Sequence, residues 1–291
     1  MSIDKLQEKI RKMKNPSMVD FSVSFDCIPN HIMEQESSTA AAYVRFCREL
    51  LAGLQESVPA VRFGFDIFAM LGAESLQALQ ELLLQAEKLG YYVLVDGPSM
   101  LSVLDAQRAA EIFFSGSQYP CDGVLIQPYI GSDAVKPFLH YCKEPGKDLF
   151  AVVRSPNKSA RELQDLLTGS RHVHSAAADM VNRMGEGIYG SCGYSRVVAS
   201  ASAGEANILR TFRSAYNRMF LLVDGVDYPG ANFKNCSNAF DRFGHGAVVC
   251  AGASILGAWK EAESDGSDYI LQAQQAAERM KKNIGRYVTV L

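Results

Sequence analysis

What most limits the fold of this chain is an alternation repeated along its whole length. Eight short apolar runs stand at Val19–Asp26, Ala60–Phe65, Tyr91–Asp96, Gly123–Gln127, Leu149–Arg154, Ser195–Ala199, Met219–Asp224 and Ala247–Ala251. Stretches with helical apolar spacing lie between them, among them Glu36–Gln55, Glu74–Leu89, Ser102–Phe114, Asp133–Cys142, Glu205–Tyr216, Asn235–Phe243 and Asp268–Tyr287. Ser132 is the expected cap of one helix and Gly90 the stop of another. Strands alternating with helices predict βαβ units on a parallel sheet. Eight such units in 291 residues predict an α/β chain of one domain, a (β/α)8 TIM barrel over residues 1–291, preceded by a helix over residues 1–14. The rival is an open doubly wound sheet. No G-x-G-x-x-G run follows the first strand, which counts against a dinucleotide fold.

Composition sets the outer bounds. Hydrophobic residues make up 48% and charged residues 21%, enough for a full core. A net charge of −3 gives no footprint for nucleic acid or for an anionic membrane. The longest apolar-rich stretch, Ala247–Trp259, is too short and too glycine-rich to span a bilayer. The first residues form a charged amphipathic segment without a signal-peptide core. Seven cysteines, none in a C-x-x-C pair, read as reduced thiols of a cytoplasmic protein.

In such a barrel the site is built where the strands end. Those ends offer Asp26, Arg62, Asp66, Asp96, Gln127, Arg154, Ser200, Asp224 and the Gly252-Ala253-Ser254 turn. Tyr91–Leu101, YYVLVDGPSML, is the central stretch: a buried strand that delivers Asp96 to a sharp Gly97-Pro98 turn. Other constellations are weaker. His172 and His174 have His-x-His spacing but no accompanying acid set at the strand ends, so no metal is expected there. His140 and Cys142 stand two apart on one helix and do not face each other. No cofactor motif is present.

The run VLIQPYIGSDAVKPFL, residues 124–139, closely resembles the strand-four region of orotidine 5′-phosphate decarboxylases of the longer bacterial subgroup. Phe25-Asp26 resembles that family's first-strand aspartate, Arg154 to Gln164 with Asn157 its strand-five segment, and Leu221–Gly225 its strand seven. The resemblance implies the same barrel, a homodimer, and a nucleotide or other phosphorylated small molecule as ligand. It also implies a lysine ending strand two and an Asp-x-Lys-x-x-Asp motif after strand three. The motif lysine protonates the carbanion left by carbon dioxide, and the second aspartate reaches into the partner subunit's site. Here the matching positions read Arg62, then Asp96, Pro98 and Leu101. A guanidinium is a very poor proton donor, and proline has nothing to titrate. The next basic residue downstream, Arg108, falls on a helix. The glutamine and arginine with which the family holds phosphate match Pro229 and Ala253, although backbone N–H groups at Gly252–Ser254 still favour an anion.

Three readings follow. The chain has lost decarboxylation and serves as a binding or structural homologue, or it is an active decarboxylase making UMP, a carbon–carbon lyase of pyrimidine biosynthesis. The third is different chemistry at the same mouth, using Asp26, Arg62, Asp66, Asp96 and Arg154.

Overall fold

The computed structural model describes residues 2–116, 118–144 and 146–291. Its centre is a closed barrel of eight parallel strands: β1 Ser17–Asp20, β2 Ala60–Gly64, β3 Tyr92–Asp96, β4 Gly123–Ile126, β5 Asp148–Arg154, β6 Val197–Ser202, β7 Leu221–Asp224 and β8 Ala247–Ala251. Each strand pairs with the next, and β8 returns to β1 with Ser17 opposite Val249. The (β/α)8 TIM barrel expected from the alternation is the fold observed. The strands are valine- and leucine-rich and almost wholly buried, as strands covered on both faces must be.

Helices pack around this cylinder for local reasons. Ala73–Lys88 buries Leu79, Leu82, Leu83 and Ala86 on one face. It stops where Gly90, at φ 85°, takes the left-handed conformation that glycine adopts without strain. Thr39–Gly53 begins where the Ser38 hydroxyl accepts the Ala41 N–H at 3.1 Å.

Several boundaries differ from the sequence expectation. β1 ends at Asp20, not at Asp26. The Asp20 carboxylate accepts the Ser22 N–H at 2.8 Å and turns the chain off the sheet, so the alternating residues beyond it form an exit loop. β6 starts two residues late and runs to Ser202, because Ser195 is engaged in a bridge with Tyr189. The sequence also predicts a helix over Ala160–Leu167; the structure has instead a 3-10 turn, Lys158–Glu162, leading to a two-stranded hairpin of Leu167–Thr168 and Arg171–His172. Ser132 does not cap its helix. That helix is Lys136–Lys143, with Pro137 in its first turn.

The bottom of the barrel is closed by the N-terminal helix, Ser2–Met13, whose Ile3, Leu6 and Ile10 are fully buried. Its polar side chains grip the segments that lead into the strands. Gln7 accepts the Gly246 N–H at 3.0 Å, Asp4 accepts the Cys192 N–H at 2.8 Å, and Lys5 pairs with Asp122 at 2.7 Å. Deeper in the same end, Tyr92 donates its hydroxyl to the fully buried Asp148 at 2.7 Å. Burial pushes the Asp148 carboxyl well above the usual carboxylate range, against the opposing pull of the Tyr92 hydrogen bond and Arg196.

A raised folded-state pKa favours the protonated form, so this group supports folding most at low pH and loses that support as pH rises through the carboxylate range and above it. Asp148→Asn keeps an acceptor for Tyr92 and removes the titration. Its melting temperature relative to the parent chain is expected to climb as pH goes from about 4 to about 7. A pH-independent difference in calorimetric melting would contradict this account.

Candidate functional site

At the other end of the barrel the strands deliver one cation and three acids to a common point. Arg62 sits on β2 opposite Asp20 of β1, and two residues on, Gly64 stands opposite Asp96 of β3. Asp224 ends β7. The Arg62 guanidinium lies 2.7 Å from Asp96, 2.9 Å from Asp224 and 3.7 Å from Asp20. Its side chain is only 10% exposed. Burial opposes its charge, but Asp20, Asp224 and Asp96 more than offset that and hold it well above its ordinary pKa. Asp20 goes the other way: burial raises its carboxyl despite the nearby Arg62.

Two clefts open above this floor. One, of 380 Å³, is lined by Asp66, Asp96, Pro98, Ser99 and Gln127 among others. Ser99 donates to Asp66 at 3.0 Å. The second, of 200 Å³, is lined by Asp20, Ser22, Asp224, Asp227 and Gly252 among others. Asp227 accepts the Gly252 N–H at 2.7 Å, so a carboxylate of the chain itself sits where that turn was expected to draw an anion. Ala253 beside it offers no charged group. No basic side chain lines either cleft.

Asp96, Arg62, Asp224, Asp66, Gln127, Gly252 and Ala253 thus meet at the mouth as the sequence suggested. Asp26 does not join them. It lies in the turn Phe25–Cys27, 69% exposed and paired with Lys260 at 2.7 Å, because β1 ends six residues earlier. Asp20 takes the place expected for it, and Ser202 that expected for Ser200, which is buried inside β6. Sequence reasoning passed over Asp20 and Asp227. The signal for Asp20 was its position at the end of the unbroken apolar pair Met18-Val19.

Arg154 is only 4% exposed and serves a neighbouring part of the rim. It meets Asp165 with two nitrogens, at 2.9 and 3.1 Å, and Glu205 at 3.1 Å. A bulge between Val152 and Arg154 accompanies this turn of the strand end. His172 and His174 stack at 5.0 Å. Among the described residues no group of three His, Cys, Asp or Glu side chains is spaced to hold a metal ion. The Cys142 side of its helix is buried, whereas His140 is exposed.

Replacing Arg62 with methionine is expected to cost about 3–5 kcal/mol at neutral pH, since it leaves buried carboxylates without a counter-charge. The deficit should shrink toward about pH 4, where protonation relieves the repulsion. Denaturant titration at the two pH values measures both, and a pH-independent loss would show that Arg62 acts through packing alone.

No protein-family model matches the chain. An orotidine 5′-phosphate decarboxylase of Clostridium novyi is 25% identical over 286 residues, which cover 98% of each chain. One of Rhodopirellula baltica is 27% identical over 235 residues, 79% of this chain and 78% of that one. The solved OMP decarboxylase of Leishmania donovani matches with a TM-score of 0.71 at 24% identity, over 98% of this chain and 99% of that chain, a likeness of fold. In sequence over nearly its whole length, and in the barrel that this sequence forms, the chain is similar to the orotidine 5′-phosphate decarboxylases.

Proposed function

We propose that this barrel does not decarboxylate orotidine 5′-phosphate and acts as a binding or structural homologue of the enzymes it resembles. One observation carries the reading: the two clefts that open over Arg62 are lined by five aspartates and by no basic side chain. A carbanion left by departing carbon dioxide needs a positioned cationic donor within hydrogen-bond reach. Pro98 stands at the lysine position of the resembled motif. Arg62 is held by three carboxylates and keeps its proton. A carboxylate substrate entering here would also meet like charge from Asp96 and Asp66.

Loss of a single electrostatic donor typically costs about 10²–10³ in rate, and coupled losses do not simply add. The ultraviolet absorbance of orotidine 5′-phosphate is therefore expected to stay unchanged with the purified chain, and Pro98→Lys alone is not expected to restore turnover. Turnover at a rate typical of the related enzymes would sink the proposal.

The same proposal includes a homodimer through the mouth-side loops. Leu101, at the position of the family's interfacial acid, is 87% exposed, and Val103 and Leu104 are 45% and 49% exposed beside it. Apolar groups so placed are better covered than hydrated, and apolar cores suit subunit interfaces. The seven unpaired cysteines suit a reducing cytoplasm. No helix among the described residues is long and apolar enough to cross a membrane. Light scattering at micromolar concentration is expected to give the dimer mass, and Leu101→Asp the monomer mass. A monomeric parent chain would remove the dimer from the proposal.

A further inference from the structure

A third cleft, of 610 Å³, adjoins the acid-lined mouth between the loops that follow β5, β6 and β7. Tyr228 lines both this cleft and the one beside Asp224. Its charged lining consists of Arg154, Lys158, Arg161, Asp165 and Glu205. The two acids are turned onto Arg154, which also donates to the Ser155 carbonyl at 2.6 Å. Arg154 is thereby committed to holding the 155–172 excursion against the barrel. Lys158 and Arg161 are exposed and make no ion pair among the described residues. Asn157 also lines the cleft, as does Glu205, where the ten-residue helix Ala206–Ala215 opens.

We propose that the mouth binds a phosphorylated small molecule with its phosphate at the β5 loop, held by Lys158 and Arg161, and not at the turns after β7 and β8. The inference rests on the reading of the mouth as a binding site. Two sets of observations independent of that reading select the location. At the β8 turn the Gly252 N–H is already taken by Asp227, and the residues there supply no cation. Across the rest of the mouth, Asp20, Asp66, Asp96, Asp224 and Asp227 face a single Arg62, so an anion is repelled from that half. The field over the whole opening therefore points an anionic group toward the β5 loop. There a guanidinium fork and an ammonium provide the donors that a phosphate dianion takes up. The uncharged remainder of such a molecule, rich in hydroxyl donors, would face the carboxylates past Tyr228.

Isothermal titration with ribose 5-phosphate at low ionic strength tests this. The parent chain is expected to bind it more tightly than ribose, with affinity falling as salt is added. The double variant Lys158→Ala/Arg161→Ala is expected to lose affinity by about tenfold for each cation removed. Lys136→Ala, which removes an exposed lysine paired with Asp133 elsewhere, should bind as the parent does. Equal affinity in the parent and the double variant would overturn the proposal, as would equal binding of ribose and ribose 5-phosphate by the parent. Decarboxylation is measured separately by absorbance, so an active enzyme would refute the preceding reading without deciding where the phosphate sits.

Discussion

Everything at the mouth of this barrel depends on how a buried arginine is kept charged. A guanidinium that is almost fully enclosed carries a heavy desolvation cost, and it stays in place only with carboxylates around it. β1, β3 and β7 each send one, so four strands are tied together at the point where their ends would otherwise splay. The result is a well-fixed floor with an excess of negative charge. A lysine at the same position would be a compact point charge able to lose its proton. The arginine is a planar fork: one terminal nitrogen meets Asp96, the other meets Asp224 and Asp20, and the group keeps every proton. On the function proposed above, the arginine makes this position a structural one.

That excess of acid shapes the rim as well. Asp227 binds a backbone N–H after β8, and Ser99 turns Asp66 into the cleft beside Asp96. On the other side Arg154 spends its donors on the chain itself, which leaves the two loop cations as the basic feature of the opening. The frame is that of the orotidine 5′-phosphate decarboxylases it is similar to, and within it the side chains of the opening are segregated by charge. This separation is what a barrel permits: strand pairing fixes the frame, and the loops at the strand ends carry the variation.

The frame was legible in the sequence because burial on both faces forces apolar runs, and those runs recur eight times. The site was only partly legible. Asp96, Arg62 and Asp224 could be found because each closes such a run. Asp26 misled because its loop, Phe21 to Phe25, keeps alternating apolar and polar residues after the last ladder bond, donated by the Phe21 N–H to Arg62. The side-chain turn at Asp20 that ends the strand is a contact over two residues, and no periodicity records it. The 155–172 excursion was misread for a similar reason. Its conformation is set by Arg154, and by Gln164 accepting the Ser155 N–H at 2.9 Å, a tertiary arrangement laid over a sequence of ordinary helical propensity.

The N-terminal helix has a consequence for how the molecule comes into being. Gln7 must find Gly246, 239 residues later, and Lys14 the carbonyl of Val290, 276 residues later. β1 likewise pairs with β8. This helix is made well before the segments it must meet, so it is among the last to reach its final partners, and its apolar face has nothing permanent to cover it until β8 and the residues after it have been made. Closures over such separations are slow, and an uncovered apolar helix is a site of misassociation in the interval. Its charged side chains, Lys5, Glu8, Lys9, Arg11 and Lys12, keep that waiting segment in solution until the ring is complete.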